Sequence, residues 1–167
     1  NGSMAIKHDL VGEIWETRPE LEAPVVWVLK EEFSGESTQS KVARLRAEME
    51  EKGADLHVIS TLDDIAWLLN IRKETTDGNV LPTAHVMVTK DSLRLFINRS
   101  RCSEEVMAYF AENGIQVESY EGIYEAVAAV KDQKILLEPD KVNYALSASI
   151  DASNTVIEAM NPTSMMK

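Results

Sequence analysis

Ser60-Thr-Leu-Asp-Asp-Ile-Ala-Trp-Leu-Leu-Asn-Ile-Arg72 decides the fold class. It follows a strand-like run, Leu56-His-Val-Ile59, and precedes a polar loop over 73–83. Thr61 suits a helix N-cap, with Asp64 three residues on as the acidic half of a capping box. Leu62, Ile65, Leu68 and Leu69 fall on one helical face, which predicts burial of that face. Trp67 lies off the face and brings an indole N–H that needs a partner. A strand that feeds a short apolar helix and then a polar loop is a core unit whose loop is free for function.

The same alternation runs outward in both directions. Towards the N-terminus, 9–17 reads as a short helix with Leu10, Val11, Ile14 and Trp15 on one face, ended at Arg18-Pro19 because the residue before a proline leaves the helical region. Pro24 opens a strand over 25–29. Phe33-Ser-Gly-Glu-Ser37 reads as a loop. Ser37 or Ser40 caps a helix to about Lys52 with Val42, Leu45 and Met49 buried, a Glu48–Lys52 pair, and Gly53 as its stop. Towards the C-terminus, 84–90 and 93–98 read as the two strands of an antiparallel hairpin across Asp91-Ser92. Ser103 caps a helix to Asn113, stopped by Gly114. Strands over 115–119, 135–137 and 155–157 alternate with helices over 123–130 and 142–149. This is an α/β pattern, with one hairpin inside a mostly parallel or mixed sheet. No internal repeat, low-complexity segment or Pro/Gly/Ser linker divides it.

Size and charge bound the function. A chain of 167 residues is long enough for one domain with a real core. Its 17 basic and 28 acidic side chains leave a net charge of −11, which argues against nucleic-acid backbones and anionic membrane surfaces as partners. Cys102 is the one cysteine, so no internal disulfide forms, in keeping with a reducing cytoplasm. No run is apolar for the length of a membrane span, and no signal peptide is visible. Asn1-Gly-Ser3 before Met4 reads as a cloning remnant.

Chemistry is sparse. His8, His57 and His85 are not spaced from one another or from Cys102 as a metal pair on one element, and each reads as structural. Arg101 beside Cys102 favours the thiolate, but no base accompanies it in sequence. Asp63 and Asp64 raise the possibility of a two-metal carboxylate pair. Neighbours on a helix point about 100° apart, so dipole-matched caps in the first turn explain them better, as they do Glu104 and Glu105. The phosphate-loop, dinucleotide and serine-nucleophile motifs are absent. On its residues alone the chain is a soluble α/β domain with no visible active site.

Several stretches together resemble the middle domain of the long, three-domain Xaa-Pro aminopeptidases (aminopeptidase P) of the creatinase/prolidase superfamily. Leu10-Val11, Ile14-Trp15, Arg18-Pro19 and Pro24 are similar to the family's "LV-x-x-IW…RP…P" opening. Phe33-Ser-Gly-Glu-Ser37 with Lys41, Arg44 and Arg46 resembles its "Y-x-G-x-S…K…R" helix start. The Leu62-to-Arg72 stretch matches its most specific motif, and Val142-Asn-Tyr-Ala-Leu146 its "VNYAL" segment. Asn161-Pro162 through Met166-Lys167 resembles the connector to the catalytic domain.

The resemblance implies a creatinase-type mixed sheet with helices on both faces. It divides the chain into a remnant and flexible start at 1–8, the domain at 9–160, and a truncated connector at 161–167. It implies no catalytic residue and no metal ligand here. In the family, two Asp, one His and two Glu of the following pita-bread domain hold two divalent ions, usually manganese. That centre cleaves before a penultimate proline. The implied partners are the pita-bread domain in cis and proline-containing peptides, with a homodimer also open, and the implied location is cytoplasmic. The polar loop faces the inter-domain cleft in such enzymes, which makes Arg72 and Asn79 candidates for the substrate-cleft rim. Arg72 pairs with a carboxylate across that cleft on this reading, or else serves as a helix C-terminal cation. The family's Gly after the Arg, and its Asn-Pro, are here Lys73 and Asn79-Val80. Two other readings stay open: a free-standing peptide- or protein-binding module, and an accessory domain of a related dipeptidase or creatinase-like hydrolase.

Overall fold

A computed structural model describes residues 10–17, 25–75 and 78–167. The strands are β1 (Val26–Val28), β2 (Leu56–Ile59), β3 (Ile71–Lys73), β4 (Ala84–Thr89), β5 (Leu93–Ile97), β6 (Ile115–Glu118), β7 (Lys134–Leu137) and β8 (Thr155–Glu158). The α-helices are α1 (Leu10–Ile14), α2 (Glu31–Ser34), α3 (Thr38–Glu51), α4 (Leu62–Leu68), α5 (Glu104–Glu112), α6 (Gly122–Ala128), α7 (Tyr144–Ala148) and α8 (Pro162–Met166).

Six strands form one sheet in the order β6-β5-β4-β2-β7-β8. Its centre is antiparallel, β2 to β4 and β4 to β5, and its flanks are parallel, β5 to β6 and β2 to β7 to β8. The sheet is therefore mixed, and the 84–98 hairpin is its antiparallel element. Strand alternation assigns side chains to two faces. Val86 and Val88 of β4, Leu93, Leu95 and Ile97 of β5 and Leu136 of β7 pack with α3, α4 and α5. Met87, Phe96, Ile135 and Leu137 pack on the other face with Ile123 and Val127 of α6 and Leu146 of α7. Helices on both faces close the core, since a two-faced apolar sheet needs covering on each side.

Local chemistry sets the helix ends. Ser37 Oγ accepts from the Ser40 N–H at 3.2 Å, and Gly53 leaves α3 at φ +65. Val42, Leu45 and Met49 are its buried stripe. Glu48 and Lys52 meet through the backbone, the Lys52 N–H donating to the Glu48 carbonyl, rather than as an ion pair. Ser103 Oγ accepts from the Val106 N–H at 3.3 Å, and Gly114 leaves α5 at φ +69. Loss of a hydroxyl cap typically costs about 1 kcal/mol. Ser103→Ala is therefore expected to lower stability by about that much in urea denaturation, with an unchanged slope.

Three expectations need correction. Residues 33–37 are not all loop: Phe33 and Ser34 end the single turn α2, which Gly35 closes at φ +75. Helix α1 spans only Leu10–Ile14, and its apolar residues are exposed, Ile14 to 83%. Arg18-Pro19, Pro24 and His8 lie outside the described residues. Lys73 belongs not to the loop but to β3, which pairs antiparallel with β1 as a separate two-stranded ribbon, Trp27 opposite Arg72. Among the described residues no helix is long and apolar enough to cross a membrane.

Candidate functional site

Strand β2 delivers the chain into α4, and α4 ends in a tight reversal. Leu69 is its C-cap and Asn70 follows at φ +52, a left-handed conformation that asparagine tolerates better than most residues. The reversal sends Ile71 into β3 and so places Arg72 on a strand, beyond the helix. Its guanidinium still reaches back: Nη1 donates to the Ala66 and Ile71 carbonyls, both at 2.8 Å. Ala66 is in the last turn of α4, so Arg72 satisfies a helix-end carbonyl from outside the helix. The Lys73 N–H then donates to the Val80 carbonyl at 2.8 Å and closes the loop. Asn79 Oδ1 accepts from the Leu81 N–H at 3.1 Å, an Asx turn that shapes the loop's return. Arg72 and Asn79 flank that closing rung from its two sides.

The start of α4 holds the second constellation. Thr61 does not cap the backbone; its hydroxyl donates to Asp64 Oδ2 at 2.5 Å. Asp64 is 1% exposed. Asn161 Nδ2, from the far end of the chain, donates to Thr61 Oγ1 at 2.9 Å and to Asp64 Oδ2 at 3.2 Å. Lys167 Nζ stands 2.6 Å from Asp64 Oδ1 and 2.5 Å from Asp63 Oδ2. The two carboxylates thus converge after all, on a lysine 103 and 104 residues away, and they act as an anchor for residues 161–167 beyond any capping role. The hydrogen bond from Lys167 holds the Asp63 carboxyl below its usual range. Burial works against the Lys167 charge, yet its bonds to Asp63 and Asp64 hold its pKa above the ordinary lysine value. Asp64→Ala strips three partners at once, while Lys167 is partly exposed and turns to water. A loss of about 2 kcal/mol is expected in urea denaturation, as for charged hydrogen bonds.

The histidines are interior. His57 is fully buried, its Nδ1 2.9 Å from the Leu136 carbonyl. His85 has Nδ1 2.8 Å from Ser60 Oγ and stacks on Tyr120 at 5.0 Å. The Cys102 thiol is half-buried, and burial pushes its pKa up; the opposing charge is Arg99, not the adjacent Arg101. Such a thiol is a poor nucleophile at neutral pH. Among the described residues no three His, Cys, Asp or Glu side chains gather as ligands of an ion. Those residues therefore do not fit a two-metal centre.

Known proteins place this arrangement. A probable Xaa-Pro aminopeptidase P of Neurospora crassa is 32% identical over 96% of this chain, which spans 25% of that protein. The crystal structure of an X-prolyl aminopeptidase from Caenorhabditis elegans, described as a cytosolic enzyme with a di-nuclear active site, superposes with a TM-score of 0.81 at 27% identity. That match covers 95% of this chain and 29% of the enzyme. The isolated N-terminal, creatinase/prolidase-like domain of a metallopeptidase from Corynebacterium diphtheriae shares the fold alone, with a TM-score of 0.51 at 14% identity. It covers 73% of this chain and 95% of the bacterial domain. The chain thus spans between a quarter and a third of the length of the Xaa-Pro aminopeptidases it matches. With residues 17–167 matching the family throughout, from the β1–β3 ribbon to the anchored C-terminal segment, the chain belongs to the creatinase/prolidase N-terminal domain family.

Proposed function

We propose that this chain is the non-catalytic middle domain of a cytoplasmic, metal-dependent Xaa-Pro aminopeptidase. The observation that carries this reading is the end-to-end match to about a quarter of such an enzyme. Hydrolysis of the bond before a penultimate proline belongs to a pita-bread domain in cis, with two divalent ions, manganese by family analogy. This domain supports that partner and shapes access to it. The anchor at α4 fixes where a chain continuing past Lys167 would leave, close to the unit that carries Arg72. Arg72 and Asn79 line the substrate entrance, with Arg72 paired to a carboxylate across the cleft.

The test compares this 167-residue chain with one extended through the downstream frame, both supplied with manganese and an Xaa-Pro peptide. Turnover by the extended chain only is expected; turnover by the short chain, or by neither, overturns the reading. In the extended enzyme, Arg72→Ala is expected to raise KM roughly tenfold with a smaller change in kcat, the pattern of lost substrate binding. An unchanged KM removes Arg72 from the rim.

A further inference from the structure

The course of the chain around β5 and β6 has a consequence for binding. These strands are parallel neighbours at one edge of the sheet. From the end of β5 the chain passes to α5, whose Val106 and Phe110 pack on one face. From the end of β6 it passes to α6, whose Ile123 and Val127 pack on the other. Adjacent parallel strands whose connections leave to opposite faces make a topological switch point. In open α/β sheets, ligands bind in the crevice outside the carboxyl ends of such strands, because the two connections diverge there and leave a gap.

A cleft of about 570 Å³ occupies that position. One wall is the turn after β5, Asn98 to Arg101; another is the end of β6 and the turn after it, Glu118 to Glu121; the ribbon contributes Val26 and Lys73. Val26, Ile97, Val117 and Pro82 supply apolar lining. Tyr120 adds an aromatic surface, its ring held from behind by the stack on His85.

The charge of the cleft opposes that of the chain. Lys73, Arg99 and Arg101 line it, and none of the three forms an ion pair among the described residues. Of its two carboxylates, Glu118 is already held by Arg94 through a bidentate pair at 2.6 and 2.9 Å. Among the described lining residues, Glu121 alone is left to oppose the three cations. Unpaired guanidinium forks above an apolar lining match a planar anion on a non-polar body.

We propose that this cleft binds a small carboxylate with an apolar body, either the free carboxyl end of a short peptide or an organic acid. The site stands on topology, volume and charge, and does not depend on the peptidase reading. The test is calorimetric and NMR titration of the 167-residue chain with 3-phenylpropionate, the tripeptide Gly-Pro-Phe, and Gly-Pro-Phe amide. Saturable binding of a carboxylate is expected, with shifts confined to residues around Arg99, Arg101 and Tyr120. Gly-Pro-Phe is expected to bind roughly tenfold or more tightly than its amide if peptide ends are the ligand, since a charge-assisted contact is lost. Binding of 3-phenylpropionate alone assigns the site to organic acids. The double variant Arg99→Ala/Arg101→Ala, at two exposed positions, is expected to weaken carboxylate binding by roughly tenfold or more. Lys131→Ala, near the opposite edge of the sheet, is expected to leave it unchanged. Equal binding of acid and amide, no saturable binding by any probe, or an unaffected double variant overturns the proposal.

Discussion

Lys41→Ala is expected to lower the unfolding free energy by about 4 kcal/mol, within the range for breaking a buried charged interaction. Lys41 is 1% exposed in the first turn of α3. Its Nζ donates to Asn70 Oδ1 at 2.7 Å and to the Trp67 carbonyl at 2.9 Å, and stands 4.6 Å from the Trp67 ring centroid. An ammonium has three protons and no acceptor, so two hydrogen bonds and a π face come close to satisfying it. Burial lowers its pKa, and the Glu36 carboxylate partly offsets that. Truncation leaves a cavity where the stem was and strands two oxygens in a dry site. Asn70 suffers most, because its side chain also donates from Nδ2 to the Glu36 carbonyl at 2.9 Å and its backbone sits at φ +52. Lys41→Met keeps the stem and loses only the polar head, so about half the penalty is expected. Urea denaturation of both variants separates the two parts. A loss below about 1 kcal/mol for Lys41→Ala would mean that the node does not hold the reversal after α4.

That node marks where the sequence was legible and where it was not. The caps at Ser37 and Ser103 and the stops at Gly53 and Gly114 depend on groups within four residues of each other, so local chemistry reveals them. The alternation over 84–98 exposes the hairpin for the same reason. Pairing between distant segments leaves no local trace. Nothing within 25–29 or 71–73 says that they join each other in a ribbon and not the main sheet. The apolar residues of α1 show the limit from the other side. Their spacing is that of a buried face, yet within this chain Leu10 and Ile14 remain exposed; periodicity reports that a face is apolar, not what covers it.

The candidate site divides in the same way. Arg72 and Asn79 are candidates through the family resemblance alone. The left-handed Asn70, which moves Arg72 from helix end to strand, carried a weak signal, since asparagine is among the few residues besides glycine that visit that conformation. The anchor was hidden for a plainer reason. Asp63 and Asp64 in a first helical turn have a sufficient local explanation as caps. Their partners, Asn161 and Lys167, are about a hundred residues away, and only the fold brings them together. The switch-point cleft needs the facing of α5 and α6 as well as strand order, and neither can be read from spacing.

Between about pH 7 and pH 4, His57 is expected to cost the native state roughly 3 kcal/mol. Burial depresses its pKa from the ordinary 6.5 to about 4, against weaker support from the Leu136 carbonyl and the Asp64 and Glu138 carboxylates. The unfolded chain takes up a proton as pH falls through 6.5 while the folded chain does not. Stability from this group is therefore full above 6.5 and is lost as pH falls towards 4. The structural cause lies at the two ring nitrogens. Nδ1 bonds the Leu136 carbonyl, whereas Nε2 is buried without a partner among the described residues. Protonation would place a cationic donor there with nothing to accept from it. Carboxylates with lowered pKa, such as Asp63 and Glu118, also destabilise the fold in acid, but at lower pH. His57→Asn isolates the histidine, because its amide can donate to Leu136 in place of Nδ1 and does not titrate. The variant starts less stable at neutral pH from its smaller volume, yet its denaturation midpoint falls less on acidification. The expected crossing of the two stability curves lies above pH 4. Parallel curves for the two proteins over this range would show that His57 is protonated in the folded state, and that the buried Nε2 has found an acceptor.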